Sequence, residues 1–192
     1  MNFTSLSIGA RALSIQALKK AAVERGWRAF GQDCFLCGGR AHERLVCAGC
    51  AADLPWLREC CARCAQPLPG GGTCGRCLRR PPAFDGATAA FEYRFPIDRL
   101  VHRFKFGGDL AIGHWLGAQL AQQLRGDGTP DVLVAPPLSS QALRRRGFNQ
   151  AVELAKTVAG VLGIRAEVAA LRKVRETAPQ RTLGRRLRQS NL

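Results

Sequence analysis

Apolar positions divide the chain into stretches of different period. In residues 1–30, Ile8, Leu13, Ile15, Leu18 and Val23 are loosely spaced, and the stretch reads as a helical lead-in. Residues 31–80 contain few large apolar side chains, with Leu45, Leu54, Trp56 and Leu57 as their candidate small core. Arg79-Arg80-Pro81-Pro82 closes this stretch, because consecutive prolines continue neither a helix nor a central strand.

From residue 83 to 192 the pattern is that of an α/β domain. Ala87–Tyr93 reads as a strand ended by Pro96. Ile97, Leu100, Val101 and Phe104 recur at helical spacing, and Lys105-Phe106-Gly107-Gly108 breaks that helix. Asp109 is placed to cap a second helix, with Ile112, Trp115, Leu116, Leu120 and Leu124 as its core stripe and Gly126 as its stop. Val132–Ala135 is a short continuous apolar run ending at Pro136-Pro137, as in a strand buried on both faces of a parallel sheet. A basic loop, Arg144–Gln150, leads to a helix carrying Leu154, Val158 and Leu162, with Gly163 at its end. A strand near Glu167–Leu171 completes a βαβ unit. Thr177–Leu192 is polar and basic, and the pattern stops there without a finished element, so the expectation is a C-terminally incomplete sheet.

Cysteine placement adds the strongest chemistry. All nine cysteines fall between residues 34 and 77, and eight of them form C-x2-C pairs. Cys34, Cys37, Cys47 and Cys50 give C-x2-C-x9-C-x2-C, and Cys61, Cys64, Cys74 and Cys77 repeat it 27 residues later. Each C-x2-C turn presents two thiolates on one side of a tight loop, and two turns complete a tetrahedral S4 site for Zn2+. Two structural zinc ions in a double ribbon over 31–80 are therefore expected. Iron–sulfur ligation usually draws on other spacings, and redox C-x2-C motifs normally occur singly at a helix start. Sequential ligation, one zinc per repeat, is favoured over interleaved ligation. Cys60 is read as a bystander beside Cys61.

Composition and charge bound the rest. The apolar fraction is 46% and the charged fraction 22%, which fits a folded soluble chain. No apolar run approaches the roughly 20 residues needed to span a bilayer. The first 30 residues show no apolar core of a secretory signal. They are basic and nearly free of acids, as in organelle transit peptides, but Arg and Ala recur throughout the chain. Clustered thiols without a signal point to a reducing, cytoplasmic setting. The net charge is +15, and residues 131–192 hold twelve basic residues against four acidic ones. Such an excess favours polyanions, either nucleic acid or phosphorylated small molecules, and it equally fits a solvated Arg-rich surface.

A phosphate-binding candidate lies beyond Val132–Ala135. Ligands of open α/β sheets sit outside the carboxyl ends of strands. There Arg144, Arg145 and Arg146 offer forked donors, and Gly147 lets backbone N–H groups approach an anion near a helix start. A merely basic surface loop is the alternative reading.

Several motifs together resemble the ComF family of competence-associated, phosphoribosyltransferase-like proteins with an N-terminal double zinc ribbon. They are the cysteine pairs, Lys105-Phe106-Gly107-Gly108, Val134-Ala135-Pro136-Pro137-Leu138 and Arg146-Gly147-Phe148-Asn149-Gln150. Arg172-Lys173, Thr177-Ala178-Pro179-Gln180, Leu183, Arg188 and Asn191 fit as well, so the resemblance runs from about residue 30 to the end. It implies a type I phosphoribosyltransferase-like fold, a parallel sheet flanked by helices that binds 5-phosphoribosyl 1-pyrophosphate (PRPP) with Mg2+. It also implies that Lys105, Arg144, Arg145, Arg146, Gly147, Asn149 and Gln150 form the phosphate site. Lys105 equally suits a surface role. The family's acid pair followed by a Thr/Gly-rich loop is missing from these 192 residues. The expectation is therefore a truncated chain without catalysis, and no catalytic residue is assigned. The implied function is competence or DNA uptake with PRPP use, with DNA-uptake proteins as partners. The alternative is a zinc-containing accessory that holds single-stranded DNA.

Overall fold

The computed structural model describes residues 32–42, 45–125, 130–174, 183, 184 and 187. The helical lead-in over 1–30, the stop at Gly126 and most of Thr177–Leu192 lie outside the described residues. Contacts divide the chain into two compact units, one ending at Asp53 and the other starting at Leu54. Each unit carries one cysteine set, so the second set belongs with the helices that follow it.

In the first unit, β1 (Gln32–Asp33) pairs antiparallel with β2 (Arg40–His42), and the short helix α1 (Ala48–Ala52) follows. Ala41 and Val46 are its buried apolar residues beside Cys34.

The second unit opens with an extended segment that is laced to a later one. Leu57 N–H donates to Ala90 at 3.1 Å, Glu92 N–H donates to Pro55 at 2.8 Å, and Trp56 bridges Phe91. The strand expected over Ala87–Tyr93 is thus reduced to one bridged residue, because its partner is the short turn-bounded segment around Trp56. Aromatic rings continue the connection: Trp56 meets Phe91 at 4.5 Å, and Phe91 stacks on Trp115 at 5.7 Å. Ring pairs at these separations add about 0.5–1.5 kcal/mol each beyond their buried area.

After α2 (Gly75–Arg79), α3 (Ile97–Gly107) buries Ile97, Leu100 and Phe104 and ends at Gly108. Gly108 has φ +69°, a left-handed stop that L-side chains avoid. Asp109 caps α4 (Leu110–Leu124) as expected, accepting from Ile112 N–H at 3.3 Å. The buried stripe of α4 differs from the expected one. Ile112, Gly113, Gly117 and Ala121 face inward, while Trp115, Leu116, Leu120 and Leu124 are half-buried. Small residues win because α4 is clasped between two helices. A Cβ on Gly113 would lie 2.3 Å from the Phe104 ring of α3, and one on Gly117 would lie 2.9 Å from Thr157 of α6 (Gln150–Leu162).

β3 (Val132–Val134) and β4 (Arg165–Glu167) pair in parallel, with α6 as the crossover packed on them. This is the expected βαβ unit, with its second strand ending earlier than Leu171. Val132 and Val134 remain 42% and 44% exposed, so β3 is not covered on both faces as its apolar run suggested. Among the described residues, helix α6 packs on this two-stranded sheet and leaves Val132 and Val134 open. Arg144–Arg146 lie not in a loop but in the last turn of α5 (Ser140–Arg146), which Ser139 caps and Gly147 ends at φ +80°. Cations in the last turn suit the negative end of the helix dipole.

Helix α4 supplies a direct test of this packing. Gly113→Ala forces a methyl into the Phe104 ring, and a destabilisation of about 1–3 kcal/mol is expected. Gly160→Ala, on α6 with open space around it, should instead stabilise by about 0.5–1 kcal/mol. Denaturant unfolding of the two variants beside wild type measures both, and equal stabilities would refute the close helix approach.

Candidate metal centres and phosphate site

The two cysteine sets fold into matching knuckles. Cys34 N–H donates to Gly39 at 2.7 Å, and Cys61 N–H donates to Gln66 at 2.9 Å. Gly38 N–H returns to Cys34, and Ala65 N–H returns to Cys61. That turn needs a positive φ, which Gly38 supplies at +70° and Ala65 adopts at +52°. Ala65 is the single non-glycine residue with positive φ among the described residues, and it sits 27 positions after Gly38. The duplicated turn thus imposes its conformation on a residue type that disfavours it.

Backbone amides then aim at sulfur. Cys47 N–H points to Cys34 Sγ at 3.3 Å, and Cys74 N–H points to Cys61 Sγ at 3.3 Å. Within each repeat the four sulfurs all lie within 4.8 Å of one another. The Cys37–Cys47 and Cys64–Cys74 sulfurs are each 3.8 Å apart. Zn–S bonds of about 2.3 Å in a tetrahedron require an S–S edge of about 3.8 Å, so both clusters fit a zinc ion. The grouping is sequential: each site draws its ligands from one repeat. Cys60 stands outside both clusters.

The electrostatics of the metal-free thiols show why a cation is demanded. Burial pushes the Cys34 thiol up, but N–H groups of Cys47, Cys37 and Leu36 bring it down to about 6. The Cys74 amide leads in lowering Cys61 to about 6 against its burial. Hydrogen bonds to the other thiols, those of Cys37 and Cys47 first, push Cys50 up to about 12. Burial, and then the neighbouring thiols, push Cys77 up to about 12. Cys64 is also shifted down, chiefly by the Gln66 amide, so each cluster holds at least one sulfur poised as a thiolate while another resists ionisation. Zn2+ resolves the conflict by supplying the positive charge that four thiolates need. With four thiolate ligands no position remains for a reactive water, so the sites are structural.

Part of the candidate phosphate set also meets. Gln150, only 5% exposed, donates through Nε2 to the Lys105 carbonyl at 3.3 Å and accepts from Arg146 Nη1 at 3.1 Å. Asn149 Nδ2 donates to the Pro136 carbonyl at 2.9 Å, and Asn149 Oδ1 accepts from Ala151 N–H at 3.0 Å, capping α6. Three motifs far apart in sequence therefore meet at one junction: the end of α3, the proline end of β3 and the start of α6. Lys105 joins it through its backbone, with its side chain exposed. Arg144 and Arg145 are exposed on α5. Two contacts were not visible in the sequence: Arg146 lies over the Phe106 ring at 5.6 Å, and Phe148 packs on Phe104 at 5.6 Å. Among the described residues, the cysteine sets are the groups of three or more His, Cys, Asp or Glu suited to a metal. The Mg2+ expected with PRPP has no such group at this junction.

Sequential ligation makes the clusters separable. Purified protein should carry two zinc ions per chain, and Cys61→Ser or Cys77→Ser should retain one, as read by elemental analysis. Retention of two, or loss of both, would overturn one zinc per repeat. Acid should release the metal, because ligand thiols must be deprotonated. In the metal-free protein Cys34 and Cys61 have lowered folded-state values, so their contribution is complete above the ordinary thiol range. It is lost as pH falls through about 6.

Comparison with known proteins agrees with this geometry. Residues 28–78 match the double zinc ribbon domain family. DNA utilization protein YhgH of Salmonella typhi is 35% identical over 156 residues, spanning 77% of this chain and 68% of the relative. Its counterpart in Escherichia coli (strain K12) is 30% identical over 154 residues, with the same coverage. Competence protein F of Haemophilus influenzae is 28% identical over 172 residues, 85% of this chain and 75% of the relative. No solved structure matches the chain. The chain belongs to the ComF family, and its eight paired cysteines form that family's double zinc ribbon.

Proposed function

We propose that this chain acts in DNA utilization or competence, in a reducing cytoplasm, and that its α/β unit binds a phosphorylated ligand, PRPP, at the junction of α3, β3 and α6. The observation that carries the reading is the Gln150 hub, which ties Arg146 to the end of α3 beside the start of α6. A buried amide that fixes a guanidinium while a lysine stands exposed nearby is a preorganised anion site. Arg146, Arg144, Arg145 and Lys105 would hold the pyrophosphate oxygens, and Gly147 leaves the approach to the α6 amides open. Cations held there would also stabilise the charge of departing pyrophosphate. These residues support binding, and the acceptor of any transfer is not specified by them. The type I phosphoribosyltransferase-like fold belongs to the same proposal, supported by the parallel β3–α6–β4 unit.

A second reading, a non-catalytic holder of single-stranded DNA, is favoured by the exposed Arg144 and Arg145 and by the +15 charge. Phe148, the aromatic residue of that region, is half-buried and packs on Phe104 at 5.6 Å.

Calorimetric titration with PRPP tests the first reading. Wild type should bind, and Arg144→Ala/Arg145→Ala/Arg146→Ala should weaken binding by about 10-fold or more, since each charge-assisted hydrogen bond contributes roughly 1.5–3 kcal/mol. A wild-type protein that ignores PRPP, or a triple variant that binds it unchanged, would remove it as the ligand. Under the second reading, oligonucleotide affinity falls steeply as salt rises.

A further inference from the structure

The two cysteine sets share their spacing and their knuckle turns, yet their surroundings differ at matching positions 27 residues apart. Cys64 is half-buried and Cys77 is buried, whereas their counterparts Cys37 and Cys50 are exposed and half-buried. The Cys37–Cys47 sulfur pair faces solvent, and the Cys64–Cys74 pair is partly buried. Backbone amides do not account for the contrast. Gly39 N–H donates to Cys37 Sγ at 3.4 Å, and Gln66 N–H serves Cys64 in the same way. Charge does differ. Arg76 sets its guanidinium against the Cys64 sulfur and near those of Cys77 and Cys74. Gly49 holds the equivalent place in the first repeat and brings no side chain. Support differs too: the first unit has Ala41 and Val46 as its buried apolar residues, while the second knuckle shares a compact unit with the helices.

These differences act on one chemical property. Four thiolates around Zn2+ leave net negative charge on sulfur, and an exposed thiolate is open to oxidation. A guanidinium hydrogen-bonded to such a sulfur draws on its lone pairs and tunes the centre from outside the ligand set. Burial denies an oxidant access. Cys64 has both protections, and Cys37 has neither. We infer that the first zinc centre is an oxidant-sensitive site, at which hydrogen peroxide joins Cys37 and Cys47 in a disulfide and releases one zinc ion while the second centre keeps its metal. Cys37 Sγ attacks a peroxide oxygen: an S–O bond forms, the O–O bond breaks, and the departing hydroxide takes a proton from solvent to become water. Cys47 Sγ, 3.8 Å away, then attacks the Cys37 sulfur, so that S–S forms, S–O breaks and a second hydroxide leaves as water. The two sulfurs give up two electrons, and peroxide is reduced to two waters. Cys34 and Cys50 remain, half of the tetrahedral set that a structural zinc ion needs. The first unit, with few buried side chains of its own, loses its order with the metal. The second unit keeps its fold.

The test treats the full zinc-loaded chain with hydrogen peroxide and follows released zinc with a chromogenic chelator. Release should be biphasic, the first zinc ion leaving about 10-fold or more faster than the second. After the fast phase, alkylation in denaturant and peptide mass spectrometry should find Cys37 linked to Cys47, with Cys61, Cys64, Cys74 and Cys77 alkylated as thiols. Dithiothreitol and added zinc should then restore the first centre. Arg76→Gln should bring the slow phase toward the fast one. Gly49→Arg should slow the fast phase, and a Cβ at Gly49 meets nothing within 4 Å, so the helix accepts the new side chain. Gly49→Gln, which lacks the charge, should release zinc as wild type does. The inference is overturned if wild type loses both zinc ions at one rate, or if the early disulfide lies in the second repeat. Unchanged rates in both Arg76→Gln and Gly49→Arg would overturn the role given to the guanidinium.

Discussion

Four thiols confined within 4.8 Å cannot all ionise unless a cation joins them, and this constraint governs residues 34–77. Each knuckle spends its backbone amides on sulfur, and in each cluster at least one thiol is driven toward the thiolate while another is driven away from it. Apparent binding free energies of structural zinc sites are on the order of 10 kcal/mol. That is a large term for a stretch whose buried side chains are few. The metal's influence does not end at Cys77. The second knuckle shares a compact unit with the helices, and Leu54–Leu57, just ahead of it, is laced to Ala90–Glu92 and stacked through Trp56 and Phe91 onto Trp115. The second cluster and that wall therefore belong to one compact unit.

The cysteine clusters were legible from spacing alone because ligand geometry is local: a C-x2-C turn fixes two sulfurs, and the repeat fixes which turns combine. Helix boundaries were legible for the same reason. Asp109 and Gly108 act on backbone groups within a turn of themselves. Burial was less legible, since it depends on partners far along the chain. The leucines of α4 outrank its glycines in hydrophobicity, yet Gly113 and Gly117 face inward because two helices approach there too closely for a side chain. The apolar run at β3 suggested cover on both faces, but only α6 lies on the sheet among the described residues. Three adjacent arginines carry no apolar period and so read as loop, whereas Ser139 and Gly147 define a helix through Arg144–Arg146.

The candidate phosphate site was half visible. Its residues were nameable from motif resemblance, but their meeting depends on Gln150, whose amide is satisfied at both ends inside the protein. A buried amide with two partners is costly to leave unpaired, so it fixes the end of α3 and the side chain of Arg146 relative to α6. Without that hub, the backbone of Lys105 and the guanidinium of Arg146 would share no partner.

Helix α3 consequently does two jobs with two different surfaces. Its inner face fills the core through Phe104, which also meets Gly113 and Phe148. Its carbonyl end supplies the acceptor at Lys105 that anchors the Gln150 hub.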